Sequence, residues 1–147
     1  MGDSIRRIGM LTGGGDCPGL NAVIRAVTKS AIYEHGLEVF GIEDGFLGLV
    51  QNRIEPLKPE DASNILTRGG TILGASNKCN PERYVVGADD EGKPVFKDVT
   101  DRCLEHIAHH HLDALVVIGG DGTMSGAANF VRRGINCVGV PKTIDND

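Results

Sequence analysis

The sequence contains no run of basic residues. Its 15 Lys and Arg are scattered, 20 Asp and Glu outnumber them, and the formal net charge is −5. That balance excludes a nucleic-acid surface, and it means that any polyphosphate ligand must be held by local chemistry. No segment approaches the roughly 20 apolar residues of a membrane span. The first residues carry Arg6 and Arg7 but no apolar stretch fit for a signal peptide. The expectation is therefore a soluble, cytoplasmic protein with no membrane partner. The four cysteines, Cys17, Cys79, Cys103 and Cys137, show no short paired spacing, which argues against zinc, a redox dithiol or a disulfide framework and leaves reduced thiols. The Walker pattern G-x-x-x-x-G-K-[ST] is also absent, which excludes a P-loop enzyme.

What the sequence does have is glycine. The 21 glycines among 147 residues exceed the roughly 7% of average proteins, and many fall in clusters where the backbone must bend or approach something closely. At this length, with 40% hydrophobic residues, the chain suits one domain over residues 1–147. Ile5 to Thr12 reads as a buried strand that stops at Gly13-Gly14-Gly15. From Gly19 to His35, apolar residues recur at helical spacing until Gly36 provides a stop. Leu37 to Ile42 is a second strand, closed by Glu43-Asp44-Gly45, and the order strand, helix, strand implies a parallel pair. A short helix is expected over 59–67, before Arg68-Gly69-Gly70-Thr71, and an exposed hairpin over 80–98. Asp101 to His111 and Thr123 to Arg133 then read as helices, and Ala114 to Ile118 and Ile135 to Val140 as strands. This alternation predicts an α/β fold, an open and mostly parallel sheet with helices on both faces, in which ligands bind beyond the carboxyl ends of the strands.

The glycine clusters fall at those ends. Gly13 to Gly19 leads into a helix whose free N–H groups and dipole attract anions, so phosphate is the natural guest; a purely structural turn is the plain alternative. The loose G-x-G-x-x-x-G spacing also admits a noncatalytic dinucleotide-binding module, with Glu43 or Asp44 as the ribose-binding acid. The second loop, Gly119-Gly120-Asp121-Gly122-Thr123, places a carboxylate beside bare backbone, where Asp121 either holds a hydrated magnesium ion next to phosphate oxygens or caps the following helix. In the third, Pro141 to Asp147, either Asp145 or Asp147 is suited to accept the proton of an attacking hydroxyl, while Lys142 meets a phosphate as a point charge. His106, His109, His110 and His111 are read as a polar face near a helix C-terminus, not as metal ligands.

Four stretches, Gly14 to Ala22 with Ile24-Arg25, Arg68-Gly69-Gly70-Thr71, Gly119 to Thr123, and Thr143-Ile144-Asp145-Asn146-Asp147, together resemble the 6-phosphofructokinase family, in order and in register. Gly-Gly-Asp-Gly-Thr alone also resembles NAD kinases and diacylglycerol kinases, but these lack the other three. The resemblance implies a phosphofructokinase-like N-terminal domain and phosphoryl transfer to the 1-hydroxyl of fructose 6-phosphate. It implies that Gly15, Gly120, Asp121, Gly122, Thr123 and Gly126 lie at the donor, with Asp121 holding Mg2+. By the same likeness, Asp145 matches the catalytic base, and Thr143, Ile144 and Asp147 line the sugar and the transferring phosphate. Asn77 and Lys78 stand where bacterial members carry nucleotide contacts. Arg25 and Lys29 match basic positions for a phosphorylated effector; they share a helix face, which a solvated surface explains equally well.

Pyrophosphate-using members resemble this chain at Lys142 but carry a second Asp where this chain has Gly122. Because a carboxylate there would crowd and repel the α-phosphate of ATP, the expected donor is ATP, with pyrophosphate as the alternative. The chain accounts for less than half of the family's usual length. The groups that bind the sugar phosphate are accordingly expected elsewhere in a homo-oligomeric enzyme, and these 147 residues alone are expected to be inactive.

Overall fold

A computed structural model describes residues 4–13, 19–62, 73–76 and 79–141. Its centre is a sheet ordered β3-β2-β1-β7-β8, where β1 is Arg7–Gly13, β2 Glu38–Ile42, β3 Ile54–Pro56, β7 Ala114–Gly119 and β8 Asn136–Pro141; a short strand β4, Ala75–Ser76, also pairs with β1. The pairs β1–β2, β1–β4, β1–β7 and β7–β8 are parallel, and β2–β3 is antiparallel. A separate antiparallel hairpin joins β5, Tyr84–Ala88, to β6, Pro94–Lys97. The open, mostly parallel sheet expected from the alternation is therefore present.

Period-two alternation sorts the strand side chains onto two faces. Ile8 and Met10 of β1, with Ala114, Val116 and Ile118 of β7, join Leu20 and Ile24 of helix α1, Leu20–Lys29, in one apolar cluster. Leu11, Leu115 and Val117 point the other way. They meet α2, Phe46–Gln51, α4, Thr100–His109, and α5, Asp121–Arg132, through Phe46, Cys103, Ile107, Ala127 and Phe130. Helices thus cover both faces, as an all-parallel centre requires. A buried hydrogen bond from Asn129 Nδ2 to Thr100 Oγ1, 3.1 Å, ties α5 to the start of α4, where Thr100 itself donates to Asp98 at 2.6 Å.

Some boundaries differ from the sequence expectation. β1 begins at Arg7 rather than Ile5 and extends through Gly13. The helix expected from Gly19 to His35 is α-helical only to Lys29 and continues as a π-helical turn, Ser30–Glu34. Gly36, at φ 65°, then closes it with bonds from Gly36 N to Ile32 O and from Leu37 N to Ala31 O. Helix α5 starts at Asp121, two residues before the expected Thr123. The short helix expected over 59–67 is seen as α3, Pro59–Ala62, and its remainder lies outside the described residues, as does Arg68 to Thr71. Helix α2 and strand β3 were not anticipated: six residues are too few to display a helical period, and β3 ends in a proline that only an edge position accommodates.

Candidate functional site

In strand order, β2 and β4 lie on one side of β1, and β7 on the other. The chain runs outward to β2 and later returns to the opposite side of β1, so the β1–β7 boundary is the switch point where open α/β sheets leave a crevice. Register fixes what stands at its rim. Ser76 pairs with Gly13, Thr12 with Ile118, and Gly119 with Pro141. The last residues of β4, β1, β7 and β8 therefore form one row across the sheet, a span of about 14 Å at ~4.8 Å per strand. Every segment expected to handle the donor or the transfer leaves from this row: the first glycine loop after Gly13, Asn77 and Lys78 after Ser76, Gly120 to Thr123 after Gly119, and Lys142 to Asp147 after Pro141.

The best-described part of the rim is the start of α5. Gly120, extended at φ −90° and ψ −162°, is the N-cap, and it offers no side chain for capping. Met124 N donates to Gly120 O at 2.9 Å, the first bond of the helix. The N–H groups of Asp121, Gly122 and Thr123 thus have no acceptor within the helix, and they carry the positive end of its dipole. Asp121 is the first helical residue and not the N-cap, so the capping alternative for its carboxylate is replaced. Its exposed side chain has no hydrogen-bond partner among the described residues. A Cβ built on Gly120 or Gly122 meets nothing within 4 Å among the described residues, so bare backbone flanks that carboxylate on both sides.

Thr123 behaves differently. Its buried side chain is wedged beneath the row, so that a Cβ on Gly13 would lie 2.5 Å from Thr123 Oγ1 and one on Gly119 would lie 2.6 Å from Thr123 Cβ. Those two glycines are needed because a third element packs on the strand ends. Thr123 consequently presents its backbone N–H to the rim, while its side chain locks α5 to β1 and β7. Gly126 lies one turn on, where an added Cβ would meet Phe46 Cε2 at 2.8 Å; Phe46 in turn stacks on Phe130 at 5.8 Å. Gly126 therefore allows the close approach of α2 to α5.

Gly15, Asn77, Lys78, Lys142, Thr143, Ile144, Asp145 and Asp147 lie outside the described residues. Arg25 and Lys29 sit one turn apart on α1, half-buried, and neither forms an ion pair among the described residues. The histidines of α4 serve packing: His106 Nδ1 lies 2.6 Å from Leu49 O and His110 Nε2 lies 2.8 Å from Asn52 Oδ1, tying α4 to α2. Burial raises the thiols of Cys79 and Cys137 and pushes Cys103 up to about 12, which leaves these three poor nucleophiles. Both acids that the dinucleotide alternative offers to a ribose are paired with Arg53, Glu43 at 3.5 Å and Asp44 at 2.8 Å.

Two features at the rim escaped the sequence reading. Thr12 is fully buried, and its Oγ1 donates to Gly74 O at 2.7 Å, holding β4 to β1. Asp44 takes a left-handed conformation at φ 57°, and its N–H donates to Leu73 O at 2.9 Å. The only sequence signal was the Asp44-Gly45 pair itself, which reads as a turn and gives no hint of its distant partner.

A mostly parallel α/β sheet with a helix N-terminus that has no side-chain cap, and with bare glycines at its switch point, is an arrangement suited to an anion. A family model for phosphofructokinase matches residues 7–147, and the chain belongs to that family. It is 56% identical over 143 residues to ATP-dependent 6-phosphofructokinase 2 of Clostridium perfringens, covering 97% of this chain and 39% of that protein. It is 46% identical to an ATP-dependent 6-phosphofructokinase of Aliivibrio fischeri, with 97% and 40% covered. Among solved structures, it superposes on the T-state phosphofructokinase of Pichia pastoris with a TM-score of 0.79 at 29% identity, over 99% of this chain and 16% of that one. The pyrophosphate-dependent phosphofructokinase of Marinobacter aquaeolei, 18% identical and covered to 34% by 97% of this chain, shares the fold with a TM-score of 0.74. The chain spans about two fifths of the length of the curated relatives it matches.

Proposed function

We propose that this chain supplies the donor-binding half of a cytoplasmic ATP-dependent 6-phosphofructokinase, which transfers the terminal phosphoryl group of ATP to the 1-hydroxyl of fructose 6-phosphate. The observation that carries this reading is the row Ser76, Gly13, Gly119 and Pro141, which in sequence leads into three of the four motif stretches and the Asn77-Lys78 pair. Bare N–H groups at the start of α5, together with the first glycine loop and Gly15, grip the polyphosphate, and Asn77 and Lys78 approach from β4. The exposed Asp121, with no partner among the described residues, lies beside those N–H groups and suits a hydrated Mg2+, whose role when bound is to offset charge on the phosphate oxygens. Asp145 accepts the proton of the sugar hydroxyl as the new O–P bond forms and the bond from the γ-phosphorus to the departing ADP breaks, and Lys142 balances charge on the transferring group. Thr143, Ile144 and Asp147 orient the phosphate and the sugar. The groups for the sugar phosphate come from parts of the enzyme outside these residues, and Arg25 and Lys29 serve a phosphorylated effector in a homo-oligomer.

ATP is favoured over pyrophosphate by the open volume at Gly122, which leaves room for an α-phosphate, and by the relatives named ATP-dependent. The test is a donor assay on the full-length enzyme. Turnover with ATP is expected; turnover with pyrophosphate and none with ATP overturns the donor assignment. The 147 residues alone should not phosphorylate fructose 6-phosphate.

A further inference from the structure

Two described segments stand at the strand ends as walls of the proposed crevice. One is the start of α5; the other is the Leu73–Ser76 segment, whose strand β4 occupies the side of β1 opposite β7. Among the described residues two pairs join β4 to β1, Thr12 with Ala75 and Gly13 with Ser76, a short ladder. Leu73 is buried in the apolar cluster of β1 and β2, with its side chain packed over Gly41, and a single turn supplies further ties to the segment. Asp44 N donates to Leu73 O at 2.9 Å. The Asp44 carboxylate lies so close to Gly74, at φ 71°, that a Cβ there would collide with Oδ1. Arg53 Nη1 holds the same carboxylate through Oδ2 at 2.8 Å, with Glu43 at 3.5 Å. On the far side, Gly74 O receives the buried Thr12 hydroxyl at 2.7 Å. Gly74 is thus gripped between the end of β1 and a carboxylate that is itself anchored.

Asp44 adopts its left-handed conformation at an energetic cost that glycine would avoid. If the turn alone mattered, glycine would serve better there. The same connection continues into α2, where Phe46 abuts Gly126 and stacks on Phe130 of α5. A single short stretch therefore touches both the Leu73–Gly74 backbone and the body of α5.

We propose that Asp44, anchored by Arg53, is a positioning residue for the phosphoryl donor: its carboxylate holds the Leu73–Ser76 wall against the end of β1 and so sets the width of the crevice beside the start of α5. This rests on the donor site proposed above. The direct variant is Asp44→Gly, which keeps the left-handed turn, relieves its strain and removes only the carboxylate. Asp44→Asn, which also tolerates the turn, removes the charge while preserving shape. In the full-length enzyme, the KM for the donor should rise about tenfold in Asp44→Gly, with less than about twofold change in the KM for fructose 6-phosphate. Asp44→Asn and Arg53→Gln should show smaller rises of the same kind. Unchanged donor KM in folded Asp44→Gly and Asp44→Asn, whatever happens to their melting temperatures, overturns the proposal, as does an equal rise in both KM values. The wild type is first assayed with ATP and with pyrophosphate, and the comparison is made with whichever it uses. A wild type that uses only pyrophosphate refutes the donor assignment and still tests the wall.

Discussion

The dipeptide Val-Val occurs in two strands with opposite fates. At 116–117, in β7, the two residues are 8% and 0% exposed; at 85–86, in the hairpin, they are 50% and 47% exposed. The side chains are the same, so intrinsic strand preference does not separate them. What differs is that β7 lies between β1 and β8 with helices over both faces, whereas β5 has one partner, β6, in a sheet of two. The crevice is built on the first setting. Its rim residues are placed by register across a buried sheet, with Thr123 wedged beneath them, a rigid setting of the kind that the proposed phosphate site requires. The hairpin, where Arg83 lies over the partly exposed Phe96 ring at 4.0 Å, stands outside that frame.

This contrast can be broken or sharpened by substitution. The largest effect is expected for Asp145→Asn in the full-length enzyme, a loss of about 10²–10⁴ in kcat at little cost in stability; kcat within tenfold of wild type removes Asp145 as the base. Next is Phe130→Ala, which empties a fully buried ring site under α5 and should cost about 3–5 kcal/mol, whereas Val85→Thr on the hairpin should cost within about 0.5 kcal/mol. Denaturant titration reads both, and similar losses would erase the distinction between the two settings. Gly122→Asp should fold normally, because its side chain enters open volume, yet raise the KM for ATP by about tenfold through repulsion of the phosphates; unchanged ATP kinetics would refute the crowding argument.

The smallest effect concerns pH. Asp113 accepts hydrogen bonds from the N–H groups of Arg6 and Arg7, at 2.8 and 3.0 Å, and these hold its carboxyl below the ordinary value of 3.8. A depressed folded-state value stabilises above the unfolded one, so this contribution is present at neutral pH and fades as pH falls below about 4 and through the folded value. Acid titrations of wild type and Asp113→Asn should differ in stability at neutral pH and converge at low pH. A constant difference throughout would show that the carboxylate's charge is not responsible.

The sequence made the central architecture legible because β1, α1, β2, α4, β7, α5 and β8 are long or strongly periodic, and because glycine marks where strands stop. Short elements left no such mark. Helix α2 has six residues and β3 has three, and neither can complete a pattern. The start of α5 at Asp121 was hidden because two glycines flank the acid, and glycine weakens any helix expectation. The candidate site divides the same way. Motif segments were visible as local clusters, but the contact of Thr12 with Gly74 spans 62 positions and that of Asp44 with Leu73 joins two turns. Neither has a period or a composition to betray it. Gly126 and Thr123 were read as donor contacts from resemblance alone, and each also has a packing duty that only the neighbouring elements Phe46, Gly13 and Gly119 disclose.

The most direct measurement is the structure of the full-length enzyme with Mg2+ and a nonhydrolysable ATP analogue. The account predicts the β- and γ-phosphates at the uncapped start of α5, within hydrogen-bonding distance of the N–H groups of Gly122 or Thr123, with the Asp121 carboxylate on the metal or on its water. A polyphosphate bound away from the row Ser76, Gly13, Gly119 and Pro141 would contradict it.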